Sequence, residues 1–204
     1  MKTKFFLLVL FSVALFNIIV AQNITDYSKL TKQHNIYFGF GSGLNYNCGL
    51  IGLKLTGRVT ETVLIDASAG IGSWGNKLGL GIIFNAKNEN AWCPTISYSR
   101  ATGIDKVPLE VEVTSPSGVK SKNTYDINYK PANMVNIGVQ HQWIRPQGNR
   151  ITLELGYSIL VSGGEYSLND QGLGLTIADS MKPVFDLLKP GGFTVGFGYY
   201  FALN

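Results

Sequence analysis

Charge is scarce in this chain. Asp, Glu, Lys and Arg make up 15% of its 204 residues, whereas an ordinary soluble domain carries about a quarter. A fully water-coated surface needs more than this. No Lys/Arg-rich run occurs, and with Lys2 and Lys4 set aside the formal charge of +4 falls towards neutrality. That balance excludes a nucleic-acid footprint. Histidine is limited to His34 and His141, and cysteine to Cys48 and Cys93. No Cys/His/carboxylate cluster has metal-ligand spacing, and "GFGSG" (39–43) continues a strand instead of opening a phosphate-binding helix. No metal or cofactor is therefore expected. After residue 21 no apolar run approaches the roughly 20 residues of a membrane helix.

What is present begins with "MKTKFFLLVLFSVALFNIIVAQ". Lys2 and Lys4 supply a positive start, Phe5 to Val20 an apolar stretch, and Ala21 a small residue before a cut. The stretch is short for a span and is interrupted by Asn17. Residues 1–21 read as a cleaved export signal, 22–34 as a lead segment, and 35–204 as one domain.

That domain alternates with a period of two. The last strand, 193–203, sets Phe193, Val195, Phe197, Tyr199, Phe201 and Leu203 against Thr194, Gly196, Gly198, Tyr200 and Ala202. The same pattern recurs over 35–44, 50–60, 63–72, 77–86, 92–101, 134–144 and 150–161, giving eight strands of about ten residues each. Two architectures compete: a soluble lipocalin-like barrel turns its apolar face inward, and a membrane barrel turns it outward. The second face decides. It is mostly Gly, Ser, Thr, Asn and Gln, with Lys54, Arg58, Asp66 and Glu154 as its main charges, too small and too weakly charged for a solvent coat. It suits the crowded interior of a narrow barrel. The expected fold is all-β: a closed antiparallel up-and-down transmembrane barrel of eight strands, lipid-facing on its bulky side. About 9–11 residues per tilted strand suffices to cross a bilayer.

Connections alternate in length. "NYNCG", "SWGN", 102–133 and 162–192 belong outside. Thr60–Glu61, "KNENA" (87–91) and "RPQGN" (145–149) make short turns on the periplasmic side. Trp92 and Trp143 fall at periplasmic strand ends, with Tyr199 and Phe201 beside them as interface aromatics. Arg100 and His141 face lipid near strand ends, and Pro94 costs one ladder hydrogen bond. Cys48 is placed outside and Cys93 near the periplasm, beyond disulfide reach, so no bridge is expected. In the lumen, Lys54 and Asp66 are expected directly opposite each other across a hairpin, with Arg58 and Glu154 completing a salt-bridge network.

Residues 107–130 read as a hairpin turned by "SPSG". It either extends strands five and six as an arm or joins the wall to make ten strands. Residues 177–189 read as a short helix in the last extracellular loop. Asp179 or Ser180 would cap it, Pro183 sits in its first turn, and Met181, Val184, Phe185 and Leu188 form an apolar stripe that packs onto the rim or the arm.

The eight alternating strands, short inner turns, long outer loops and aromatic last strand resemble small outer-membrane barrels of the OmpA/OmpX type. The Ala21–Gln22 signal end is similar to Bacteroidetes exports, whose small barrels include a PorT-like group. The resemblance implies a cell outer membrane location, outer-membrane lipid as the surroundings, and an extracellular protein or glycan as partner of loops 102–133 and 162–192. It implies surface interaction or envelope structure as the role. Enzymes of this architecture place a His with a nucleophile near the outer rim; His34 and His141 lie at the other end, so a non-enzymatic protein is expected. A small ten-strand channel and a secreted lipocalin-like binder are the alternatives.

Overall fold

The computed structural model describes residues 34–84, 91–145, 147–170 and 172–203. The expected signal segment 1–21, the expected lead segment up to residue 33 and most of the expected 87–91 turn lie outside the described residues. Eight strands form the wall: β1 (Ile36–Leu44), β2 (Ile51–Arg58), β3 (Leu64–Gly72), β4 (Gly75–Ile83), β5 (Trp92–Ala101), β8 (Ala132–Ile144), β9 (Arg150–Gly163) and β12 (Gly192–Leu203). They close antiparallel in the order β1-β12-β9-β8-β5-β4-β3-β2. The last strand therefore zips onto the first, from Ile36 opposite Leu203 to Leu44 opposite Val195. Closure leaves no sheet edge in the wall.

The side-chain period of two sorts the residues as the strands pair. Tyr37, Lys54, Asp66, Gln140, Thr152, Glu154 and Tyr200 are buried inside. The large apolar groups point outward and stay exposed: Phe40 is 53% exposed, Leu80 64% and Phe193 65%. The lumen is thus polar and the outer belt apolar, the reverse of a soluble barrel with a greasy interior. Pro94, opposite Val139, keeps its carbonyl in the ladder by accepting from the Phe84 N–H at 2.9 Å.

The hairpin does not enter the wall, so the ten-strand alternative is corrected. β6 (Ile104–Thr114) and β7 (Lys120–Tyr129) continue β5 and β8 beyond the barrel. With β10 (Tyr166–Leu168) and β11 (Thr176–Ile177) they make a second sheet in the order β10-β7-β6-β11. The turn closes through Ser115, whose carbonyl accepts from the Gly118 N–H at 2.9 Å; Gly118 takes φ +82°, a conformation costly for a side chain with Cβ. The sheet leaves the barrel at Gly103, with φ +77° and no room for a Cβ against the Tyr129 carbonyl.

This outer sheet has its own apolar core. Val111, Val113, Ile127 and Tyr129 pack with Trp74, Ala101, Ala132 and Met134 of the barrel rim. The Trp74 indole lies edge-on to Tyr129 at 4.4 Å and donates Nε1–H to the Lys130 carbonyl at 2.8 Å. Helix α1 (Lys182–Leu188) presses Phe185 into that core, stacked on Tyr166 at 4.7 Å, and Met181 packs beside it. Val184 is exposed, so only part of the expected stripe packs; the side chain of Leu188 lies outside the described ones. The expected cap is corrected as well. Met181 occupies the N-cap position with no side-chain cap; Asp179 pairs instead with Lys182 and the Ser180 hydroxyl donates to Glu112 at 3.0 Å. Pro183 does sit in the first turn, where its missing N–H costs nothing. No helix among the described residues is long and apolar enough to cross a membrane, which says nothing of strands.

Candidate functional site

The candidate site is the lumen. At its centre Lys54 Nζ meets Asp66 Oδ2 at 3.1 Å, with both side chains at most 3% exposed. The register differs from the expected one. Asp66 stands opposite Thr56, and Lys54 opposite Ser68, so the pair bridges diagonally, within reach of the long lysine stem. Glu154 is buried close enough to Lys54, Asp66 and Lys77 for their charges to interact. Two lysines and two carboxylates thus share this layer, as buried charges require partners. Arg58 does not join them. It is half-buried near the lower end, the end of the 59–63 and 145–149 turns, and donates to the Glu61 carbonyl at 2.7 Å.

The loop between β1 and β2 supplies what strand periodicity could not reveal. Residues 45–49 fold down into the upper mouth. Tyr46, Asn47 and Cys48 are at most 2% exposed. The Tyr46 hydroxyl shares a hydrogen bond with that of Tyr200 at 3.0 Å, and Lys54 Nζ sits 5.7 Å from the Tyr46 ring centre. Asn47 Nδ2 donates to Asp66 at 3.3 Å, and the Ser68 hydroxyl donates to the Asn47 carbonyl at 3.2 Å. Lys77 Nζ donates to the Asn45 carbonyl at 3.1 Å, while Asn45 Nδ2 donates to the Gly191 carbonyl at 2.7 Å. Cys48 was expected outside with its loop; it is instead in the plug. No disulfide joins it to Cys93.

The wall glycines make the room. A Cβ at Gly196 or Gly41 would strike the Tyr46 ring, one at Gly79 would strike Asn47, and one at Gly52 would meet the Cys48 carbonyl. A glycine-rich inner face is therefore the mould of this loop.

The lower end is sealed differently. Leu64, Ile83 and Cys93 point inward and pack as a small apolar cluster with Ala91. Above it Arg150, 3% exposed, stacks on the Tyr37 ring at 3.9 Å and donates to Tyr37 Oη at 3.0 Å and Gln142 Oε1 at 3.2 Å. Between the seals, among the described residues, lies a space of about 10 Å³ walled by Tyr37, Lys54, Gln140, Arg150 and Thr152. A space of that size is about that of a single water, far below the ~300 Å³ of a ligand pocket.

On the outer belt Trp92, His141 and Trp143 form one ring cluster, with His141 4.8 Å and 4.4 Å from the two indoles. Phe40, Tyr199 and Phe201 form another. Trp92, Trp143, Tyr199 and Phe201, expected as interface aromatics, thus fall in two ring clusters on the outer belt. Lys77, Arg150, Tyr46 and Asn47 were not anticipated in the lumen. The first two share the inward parity of Gly79 and Thr152, a signal that could have found them; the loop residues carry no such signal. No group of three His, Cys, Asp or Glu among the described residues could hold a metal. No family model matches the chain, and no curated protein matches it.

Proposed function

We propose that this protein is a non-enzymatic integral outer-membrane barrel of the small OmpA/OmpX type, akin to the PorT-like group of Bacteroidetes, whose outer sheet serves surface interaction or envelope structure. The carrying observation is the outward belt. Ile36, Leu53, Ile65, Leu80, Ile96, Ile137, Tyr157 and Phe197, one from each wall strand, are all at least 43% exposed, and they encircle a barrel whose inside is polar. Monomers in water rarely leave contiguous apolar patches beyond a few hundred Å², whereas bilayer hydrocarbon accepts such a belt. Each large side chain moved from water to hydrocarbon contributes about 1.5–3 kcal/mol. The aromatic clusters of Trp92 with Trp143 and of Tyr199 with Phe201 suit the headgroup level.

On this reading the lower end faces the periplasm, and the outer sheet stands outside with β6, β7 and α1 available to an extracellular protein or glycan. The sealed lumen argues for a display role over a transport role. The test is heat-modifiable gel mobility of protein refolded in detergent. Unboiled protein should migrate ahead of boiled protein. A chain that stays folded and soluble without detergent and shows no mobility shift would sink the membrane reading.

A further inference from the structure

In the lower half of the lumen a buried cation, Arg150, lies apart from the charges of the upper layer. In the upper layer Lys54 and Lys77 are offset by Asp66 and Glu154. Below it stand Arg150 and Arg58, close enough for their charges to repel. The hydrogen-bond partners of Arg150 are neutral, Gln142 and Tyr37, and no carboxylate among the described residues forms an ion pair with it. A guanidinium 3% exposed without a counter-ion is costly, and cation–π contact with Tyr37 offsets only part of that cost.

Around the adjoining 10 Å³ space the polar inventory leans towards donors. Arg150 Nε and Thr152 Oγ1 are buried with no hydrogen-bond partner. Tyr37 Oη accepts from Arg150 and from the His34 N–H at 3.0 Å, which leaves its own proton to donate. Gln140 Oε1 is buried and unpartnered, and a flip of that amide, which exchanges two nearly indistinguishable atoms, would present its NH₂ group. The remaining charge in the wall, Lys54, is positive, and no acid lines the space. Leu64 and Ile83 close it towards the lower mouth.

We propose that this chamber binds one monatomic anion of the chloride class, held by Arg150 Nε–H and the hydroxyls of Tyr37 and Thr152 with Lys54 at longer range. The volume excludes phosphate or a carboxylate ligand. Two seals restrict exchange, so the ion is taken up as the barrel closes.

The test refolds the full chain from denaturant in detergent, in sodium bromide, and locates bromide by anomalous scattering in crystals. A peak between Arg150 and Thr152 is expected. In parallel, melting is compared in chloride and in gluconate at equal ionic strength. Chloride at ten times its dissociation constant should raise the midpoint by on the order of 4 °C. Arg150→Gln should abolish that difference, and Thr152→Val, which spares every charge, should shrink it if the first variant does not fold. Density for water alone at the site, or equal melting in both salts, overturns the proposal.

Discussion

At the scale of single residues, the lumen is decided by what glycine omits. Gly196 lies against the Tyr46 ring, and a methyl there has nowhere to go. Gly196→Ala should destabilise the refolded protein by about 1–3 kcal/mol, the usual cost of overpacking. Tyr46→Ala in the same chain should recover most of that loss, because the two atoms compete for one space. Urea unfolding of both singles and the double decides it; additive losses would place Tyr46 elsewhere. Lys54 and Asp66 give a second test. Lys54→Met strands a buried carboxylate and should cost about 3–5 kcal/mol, whereas Lys54→Met with Asp66→Leu should come close to neutral. Parity alone located this pair inside, but the diagonal register was not legible. The pairing is offset by two residues from a direct Lys54–Asp66 opposition, and a two-residue offset leaves every side chain on its original face and so leaves no trace in the alternation.

At the scale of elements, the outer sheet and α1 hang on a few apolar contacts. Among the described side chains of α1, Phe185 is buried in the core and stacks on Tyr166. Phe185→Ala should cost about 3 kcal/mol, felt locally: protease should cut within 172–191 sooner while the heat-modifiable shift of the barrel is unchanged. Loss of that shift would mean that sheet and barrel fold as one unit. The loop before α1 is held by Asp170, whose carboxylate accepts from the Gly172 N–H at 3.2 Å and the Leu175 N–H at 3.0 Å. Those two bonds hold its carboxyl below the ordinary aspartate range. A depressed folded value means that the bonds favour the ionised form. Their stabilisation is therefore complete above the ordinary value of about 3.9 and is lost as pH falls through the lower folded value. Carboxyl NMR of Asp170 should show that low titration, and Asp170→Asn should remove the acid-side loosening of this loop. The hairpin was visible beforehand from "SPSG" between alternating segments. Its position outside the wall was not, because a polar returning strand fits either place until the edges of β5 and β8 are seen to pair with each other.

At the scale of the whole molecule, the barrel is closed twice, above by Tyr46, Asn47 and Cys48 and below by Leu64, Ile83 and Cys93. Seals in series predict that planar bilayers holding the protein show no steady unit currents. They predict the same silence from Tyr46→Ala, since the lower seal remains; currents should need Leu64→Ala and Ile83→Ala as well. Steady unit conductance from the unaltered chain would replace the display role with a channel. The lower seal was hidden in the sequence for a simple reason. Leu64 and Ile83 are bulky groups on the small-residue face, where they look like noise in the alternation, and only the register of the β3–β4 hairpin, which sets them opposite each other, shows that they act together.

The eight alternating segments, their approximate length and the split between an apolar and a small polar face were determined by the chain alone, since each follows from the two-residue period of an extended backbone and needs no partner. Which charges meet, which loop turns inward and where the hairpin stands were decided by the folded barrel. Those outcomes depend on register and on packing across a lumen, where residues more than a hundred positions apart, such as Tyr46 and Tyr200, compete for the same few ångströms.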